Sequence, residues 1–180
     1  MKKYGFVFNA ARCNGCGACV IACKEEKALP DGVWLRKRYE NVHTAAFLTM
    51  SCNHCEDPVC VKVCPVHAYK QDPDGLVIQD HAKCIGCGAC LKACPFEAPS
   101  FSQAEKKMYK CDGCASRLAK GQQPACVRNC TCGALEFGPI EELRAKYPKA
   151  ETKDFKWLKK EFGMAGTEAV KPRLVIVPLG

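Results

Sequence analysis

Sixteen of the seventeen cysteines in this 180-residue chain stand in four groups, and that grouping constrains the fold more than any other feature. Cys13, Cys16, Cys19 and Cys23 are spaced C-x2-C-x2-C-x3-C. Cys84, Cys87, Cys90 and Cys94 repeat the spacing and are followed by Pro95. Between them lie Cys52, Cys55, Cys60 and Cys64, spaced C-x2-C-x4-C-x3-C and followed by Pro65. The last group is Cys111, Cys114, Cys126 and Cys130, spaced C-x2-C-x11-C-x3-C, and Cys132 is left over. Cysteine at this density marks a disulfide or metal scaffold. Without it the hydrophobic fraction drops from 48% to little more than a third, too thin a core to hold the chain by aliphatic packing alone.

The spacing has a mechanical reading. A cubane [4Fe–4S] cluster needs four thiolates around it. A tight loop wraps three of them onto one cube, with Gly15, Gly17, Gly86 and Gly88 supplying a permissive backbone and letting amides approach sulfur. The fourth cysteine, three residues on, starts a helix, points away and ligates a neighbouring cube, as in two-cluster ferredoxins. Four groups imply four [4Fe–4S] clusters in two pairs. Zinc sites join two C-x2-C knuckles and do not call for a third cysteine at x2 and a fourth at x3. A disulfide framework needs an oxidising compartment, and an odd cysteine count without a signal peptide argues against it.

Charge agrees. The formal charge is +8 with thiols neutral, which by itself points to nucleic acid. Four oxidised cubanes, each about −2 with its thiolates, bring the loaded protein near neutrality. Aromatics are only 8%, without the stacking pattern of a nucleic-acid platform, so no nucleic-acid partner is expected. The longest apolar runs are too short to span a bilayer, and Met1-Lys2-Lys3 leads into no apolar signal core. The expectation is a chain with no export signal of its own, cytoplasmic or exported bound to a signal-bearing partner.

Cys13–Lys24 reads CNGCGACVIACK and Cys84–Pro95 reads CIGCGACLKACP, with eight of twelve positions identical. The repeat predicts an α+β fold: two ferredoxin-like domains, each binding two clusters, related by internal duplication, with a C-terminal extension. Strands are expected around Tyr4, Phe6 and Phe8, over Phe47 to Met50, Leu76 to Ile78 and Ala134 to Phe137, and a helix over Val20 to Lys27. In the tail, helices are expected over Ile140 to Tyr147 and Asp154 to Phe162, and an extended segment over 171–178 that adds an edge strand either here or on a partner. Phe155, Trp157, Leu158 and Phe162 form an apolar stripe that either covers the protein's own clusters or docks a partner. Pro65 and Pro95 favour pairing the second group with the third. Spacing alone also permits the first with the second and the third with the fourth.

The motifs carry a resemblance. Tyr4-Gly5-Phe6 with CNGCGACVIACK, SCNHCEDPVCVKVCP from Ser51, CIGCGACLKACP from Cys84, and KCDGC through PACVRNC to Gly138 resemble the four-cluster iron–sulfur subunit of dimethyl sulfoxide reductase, polysulfide reductase and related molybdopterin oxidoreductases. The resemblance covers about residues 4–138. It implies one cluster on Cys13, Cys16, Cys19 and Cys130, and a second on Cys23, Cys111, Cys114 and Cys126. A third falls to Cys52, Cys55, Cys60 and Cys94, and a fourth to Cys64, Cys84, Cys87 and Cys90. The implied domains are 1–49 with 100–139, and 50–99, followed by the extension at 140–180. The implied role is non-catalytic: single electrons pass along the clusters in anaerobic respiration. One end meets a large molybdenum- or tungsten-pterin catalytic subunit, the other a membrane quinone-reactive subunit or a ferredoxin-type carrier. Similar subunits serve hydrogenase, formate-linked and tungsten aldehyde oxidoreductase complexes.

Two positions depart from the family. The usual Pro-Thr-Gly-Ala after the last cysteine becomes Pro65-Val66-His67-Ala68 in the second group and Thr131-Cys132-Gly133-Ala134 in the fourth. Cys132 is expected to be a small non-ligand beside the cluster. Lys62, Lys92, Lys110 and Arg128 sit beside ligands and are candidate tuners of potential. His54, inside Cys-Asn-His-Cys, is expected to hydrogen-bond rather than ligate, and His43, His67 and His81 show no ligand spacing.

Overall fold

The structure, a computed structural model, describes residues 2–164 and 168–179. Met1 of the leading segment and residues 165–167 and 180 of the expected extension lie outside the described residues. Strand β1 (Tyr4–Asn9) leads through a 3-10 turn into the first cysteine loop and helix α1 (Ala18–Glu26). A hairpin, β2 (Lys37–Asn41) with β3 (Ala46–Met50), delivers the second cysteine group, which ends in α2 (Val59–Lys62). The hairpin β4 (Tyr69–Gln71) with β5 (Val77–Gln79) precedes the third group and α3 (Ala89–Ala93). A third hairpin, β6 (Ser100–Ser102) with β7 (Lys107–Tyr109), leads to the fourth group with α4 (Ala115–Leu118) and α5 (Ala125–Arg128). The chain closes through β8 (Leu135–Pro139), α6 (Ile140–Lys146), α7 (Lys156–Phe162) and β9 (Leu174–Val177).

The two ends of the chain meet in one sheet of order β8-β1-β9. β1 is central, antiparallel to β8 and parallel to β9. β1 is therefore buried on both faces, with Phe6, Val7 and Phe8 almost fully enclosed, rather than half-buried as simple alternation implies. The edge strand expected in the tail joins this sheet. The apolar stripe of α7 also turns inward: Phe155 and Leu158 are fully buried and Trp157 packs 6.1 Å from Phe8, so it covers the protein's own core instead of docking a partner.

One backbone device recurs at every cysteine loop. The residue before the second cysteine takes a left-handed φ in all four groups: Gly15 (72°), His54 (44°), Gly86 (69°) and Gly113 (68°). The turn lifts the loop so that the flanking sulfurs face one centre. Three of the four last cysteines share a second device. The carbonyls of Cys64, Cys94 and Cys130 accept from the amide three residues on, at 3.2, 3.0 and 3.0 Å, and that third residue is again left-handed (His67, Glu97, Gly133). Cys23 differs because α1 runs on through it to Glu26. Contrary to the expectation from the spacing, the last cysteine does not start a helix. α1 begins at Ala18, ahead of Cys23, and α2, α3 and α5 end before Cys64, Cys94 and Cys130, because each of these three cysteines closes its helix in a turn.

At Gly86 a Cβ would also collide with the Lys106 carbonyl. Gly86→Ala therefore strains the loop twice and is expected to destabilise the loaded protein by about 1–3 kcal/mol. Gly17→Ala, at a left-handed position with open space around it, is strained only once and serves as the milder control. Thermal melts under anaerobic conditions check the ranking.

Candidate functional site

Helix packing brings the cysteine groups together in pairs. α1 of the first group packs on α5 of the fourth, and α2 of the second on α3 of the third. Each pair places its sulfurs around common centres. Cys13, Cys16 and Cys19 line a small hollow with Cys130, and Cys132 lines it too. Cys52, Cys55 and Cys60 line another with Cys94 from the third group. Cys23 has Cys126 and Cys114 as charge neighbours, and Cys111 has Cys23. Cys64 and Cys90 share a small buried core with Cys84 packed against it, and Cys87 is close enough to Cys90 to affect its charge. Among the described residues no three His, Cys, Asp or Glu side chains converge as tightly as a single ion requires. The thiols stand back around cavities, the spread a cube of iron and sulfide needs and a lone zinc does not. All seventeen cysteines are free of disulfides.

The shell around the sulfurs fits anionic thiolates. Backbone amides donate to Cys52 (from His54, 3.4 Å), Cys64 (Ala68, 3.3 Å), Cys84 (Met108, 3.3 Å), Cys111 (Gly113, 3.4 Å) and Cys130 (Ala134, 3.2 Å). Tyr69 Oη donates to Cys90 Sγ at 3.3 Å, and Thr49 Oγ1 lies 3.3 Å from Cys19 Sγ. Burial pushes the Cys23 and Cys60 thiols up to about 12, aided by neighbouring thiolates. These thiols would ionise as bound iron displaced their protons, which couples metal binding to folding.

Of the four cations expected to tune potential, only Lys110 is buried. Lys62 is exposed and pairs with Asp57, and Lys92 and Arg128 face solvent. Lys110 Nζ donates to Cys52 Sγ at 3.2 Å and to the Cys111 carbonyl at 2.5 Å. Burial alone would discharge it, but Cys52, Cys111 and Cys60 outweigh that and hold its pKa above the ordinary lysine value. Sequence reasoning missed a second buried cation, Arg36, which is 2% exposed. It donates to Ser51 Oγ at 2.8 Å and Thr49 Oγ1 at 3.3 Å. Burial opposes its charge and Cys126, Cys19, Cys111 and Cys23 support it, with the net effect upward. Nothing in Leu35-Arg36-Lys37 distinguishes this arginine from a surface charge.

His54 is fully buried between the two halves. Its Nδ1 accepts from the Val77 amide at 3.0 Å, and its Nε2 lies 4.0 Å from Cys111 Sγ. Burial, then Lys110 and Arg173, lower its pKa well below the usual value, so the ring is neutral with its proton on Nε2. It hydrogen-bonds, as the cysteine count implied. Arg173 from the tail donates to the His54 carbonyl and fixes the loop.

Two family models, each described as a 4Fe-4S dicluster domain, match residues 12–68 and 43–140. The B subunit of the anaerobic dimethyl sulfoxide reductase of Escherichia coli is 45% identical over 160 residues, covering 81% of this chain and 78% of its own length. The B subunit of the polysulfide reductase of Wolinella succinogenes is 37% identical over 98% of this chain and 95% of its own length. The thiosulfate reductase electron transfer subunit of Salmonella typhi is 40% identical over 78% of each. With two dicluster domains and thiols for four [4Fe–4S] clusters, the chain carries electrons and does not itself catalyse bond chemistry. The chain belongs to the family of iron–sulfur electron-transfer subunits that includes the B subunits of the dimethyl sulfoxide and polysulfide reductases.

Proposed function

We propose that this protein conducts single electrons to or from a molybdenum- or tungsten-pterin catalytic subunit, through four [4Fe–4S] clusters arranged two per domain. The ligand sets are Cys13, Cys16, Cys19 and Cys130; Cys23, Cys111, Cys114 and Cys126; Cys52, Cys55, Cys60 and Cys94; and Cys64, Cys84, Cys87 and Cys90. The observation that carries the reading is the cavity ringed by three thiols of the second group and one of the third. The two domains are then the first and fourth groups together and the second and third together. The hairpin β6–β7 favours a boundary after it rather than at residue 99, because Met108 packs with Cys64 and Cys90 and its amide reaches Cys84. The recurring loop and turn geometry supports descent of the two halves from one duplicated unit.

Bound clusters supply one-electron exchange; the chain's residues supply insulation, spacing and charge. Cys16 and Cys87 are the two exposed cysteines, one in each outermost ligand set, so the conducting path has two surface ends. One end serves the pterin subunit, the other a membrane quinone-reactive subunit or a soluble carrier. No helix among the described residues is long and apolar enough to cross a membrane. In this reading a partner subunit supplies any membrane connection.

Cys130, not Cys132, is the fourth ligand of the first set, because Cys130 alone shares the turn and amide contact of Cys64. Cys132→Ser is expected to keep the full iron content and Cys130→Ser to lose iron. Iron analysis of both variants decides the assignment, and iron loss only in Cys132→Ser reverses it. Co-expression with a pterin-binding large subunit from the same genome tests the function: that partner is expected to co-purify and to oxidise the dithionite-reduced chain in its substrate's presence. A chain that stays monomeric and exchanges electrons only with small carriers contradicts the proposal.

A further inference from the structure

Three cations are buried in this molecule with no carboxylate within 4.0 Å among the described residues: Arg36, Lys110 and Arg173. Arg173 donates to the backbone carbonyls of His54 and Gly75, whereas Arg36 and Lys110 lie among thiols. Fully buried charges are found almost only where something of opposite sign offsets them. Their surroundings identify the offset. The charge of Arg36 is supported by Cys126, Cys111 and Cys23 of one ligand set and by Cys19 of another. It touches the set of Cys19 through Thr49, which takes the Arg36 hydrogen bond and lies 3.3 Å from Cys19 Sγ. Lys110 lines the cavity of Cys52, Cys55, Cys60 and Cys94, bonds Cys52 Sγ, and sits beside Cys111 of the preceding set. Each cation therefore occupies a joint between consecutive sets, and both face the set of Cys23, Cys111, Cys114 and Cys126.

We infer that Arg36 and Lys110 are shared counterions of the conducting path, placed so that each stabilises an added electron on both clusters flanking it. The inference rests on the ligand sets proposed above. A transfer along the path oxidises one cluster by one electron and reduces its neighbour by one, with no bond made and no proton moved. The added negative charge is stabilised by a fixed cation in a low-dielectric interior more than by one in water. A cation placed between two clusters stabilises the electron before and after the step, which keeps the two potentials close while raising both. As residues acting on the clusters through space and through Thr49, they are positioning residues. The set of Cys64, Cys84, Cys87 and Cys90 has no such cation and serves as the internal reference.

Spectropotentiometric titration of the anaerobically prepared full-length holoprotein, following each cluster by EPR, tests this. In Lys110→Met, the clusters on Cys111 and on Cys52 become harder to reduce by at least tenfold in the reduction equilibrium, a fall of about 59 mV or more for one electron. In Arg36→Met, the clusters on Cys19 and on Cys23 fall likewise. The double variant lowers the cluster on Cys23 and Cys111 most. Lys110→Arg and Arg36→Lys keep the charge and stay near the wild-type potentials. Unchanged potentials in iron-replete Met variants overturn the inference, as do equal shifts in all four clusters or shifts as large in the charge-keeping variants. Should a Met variant fail to hold its clusters, retention by the charge-keeping partner supports the counterion role, and loss in both overturns it in favour of a purely steric one. The wild-type iron count stands apart: fewer than four clusters there defeats the ligand sets, whereas invariant potentials with four clusters defeat only the counterion role.

Discussion

Cys94→Ser is expected to empty or degrade the cluster whose other ligands, Cys52, Cys55 and Cys60, belong to a different cysteine group. Cys94 follows Cys84, Cys87 and Cys90 in sequence, so reading the groups as four self-contained sites assigns its loss to their cluster instead. A pair of double variants separates these outcomes. If Cys94 and Cys55 hold the same cluster, Cys94→Ser with Cys55→Ser loses no more iron than either alone. Cys94→Ser with Cys87→Ser then loses two clusters, about eight irons against about four. The physical basis is the cavity that Cys52, Cys55, Cys60 and Cys94 line together, and the packing of α2 on α3 that brings them there. Additive loss for the Cys94 and Cys55 pair with no extra loss for Cys94 and Cys87 contradicts it. Iron and acid-labile sulfide analysis of anaerobically purified variants provides the measurement.

Removing the iron is expected to unfold most of the chain. Eight cysteines are themselves buried, and they replace what would otherwise be aliphatic core. The smaller core consists of Cys64, Ala68, Tyr69, Val77, Cys90 and Met108, with little apolar volume apart from Tyr69, Val77 and Met108. Its hairpins have strands of three residues each, too short to persist by pairing alone. Without clusters, the hollows that these thiols line have nothing to fill them. Collapse of those cavities removes the contacts that hold the hairpins. Circular dichroism before and after anaerobic chelation checks this. The loaded protein is expected to melt cooperatively and the stripped protein to show no cooperative transition. A stripped chain that keeps its native near-ultraviolet spectrum contradicts it. The sheet β8-β1-β9, with α6 and α7 packed around it, is the part most able to survive, because its core is built of Phe8, Leu158, Leu174 and Ile176 rather than thiols.

Much of the cluster chemistry was legible because the thiol spacing is itself the geometry: the C-x2-C loop requires a left-handed residue. The spacing predicts a helix starting at the last cysteine, whereas Cys64, Cys94 and Cys130 follow one and turn the chain. Glycine announces the loop at Gly15, Gly86 and Gly113, but His54 carries the same φ with no local signal. The turns at His67 and Glu97 were equally unreadable, since nothing in those side chains advertises a positive φ that tertiary packing imposes. β2 escaped notice because Lys37-Arg38-Tyr39-Glu40-Asn41 has one apolar residue, and its strand character comes from pairing with β3. β6 and β7 are too short to show a period. The stripe of α7 was visible, but whether it covered or docked was not: the pattern of Phe155, Trp157, Leu158 and Phe162 is identical in either case, and only the position of Phe8 decides it. Lys110 was found by adjacency to Cys111. Arg36 has no ligand near it in sequence; it lies just before β2, whose pairing with β3 brings it to Thr49 and Ser51.

In the proposed reading, electron conduction by this molecule depends on its sixteen grouped thiols holding four cubes of iron and sulfide. Mössbauer spectroscopy with metal quantification, on the full chain purified without air, reads both the iron count and the cluster type. The expected result is about sixteen irons per chain, all in [4Fe–4S] form. A colourless protein with stoichiometric zinc, or one that saturates at about eight irons, contradicts it.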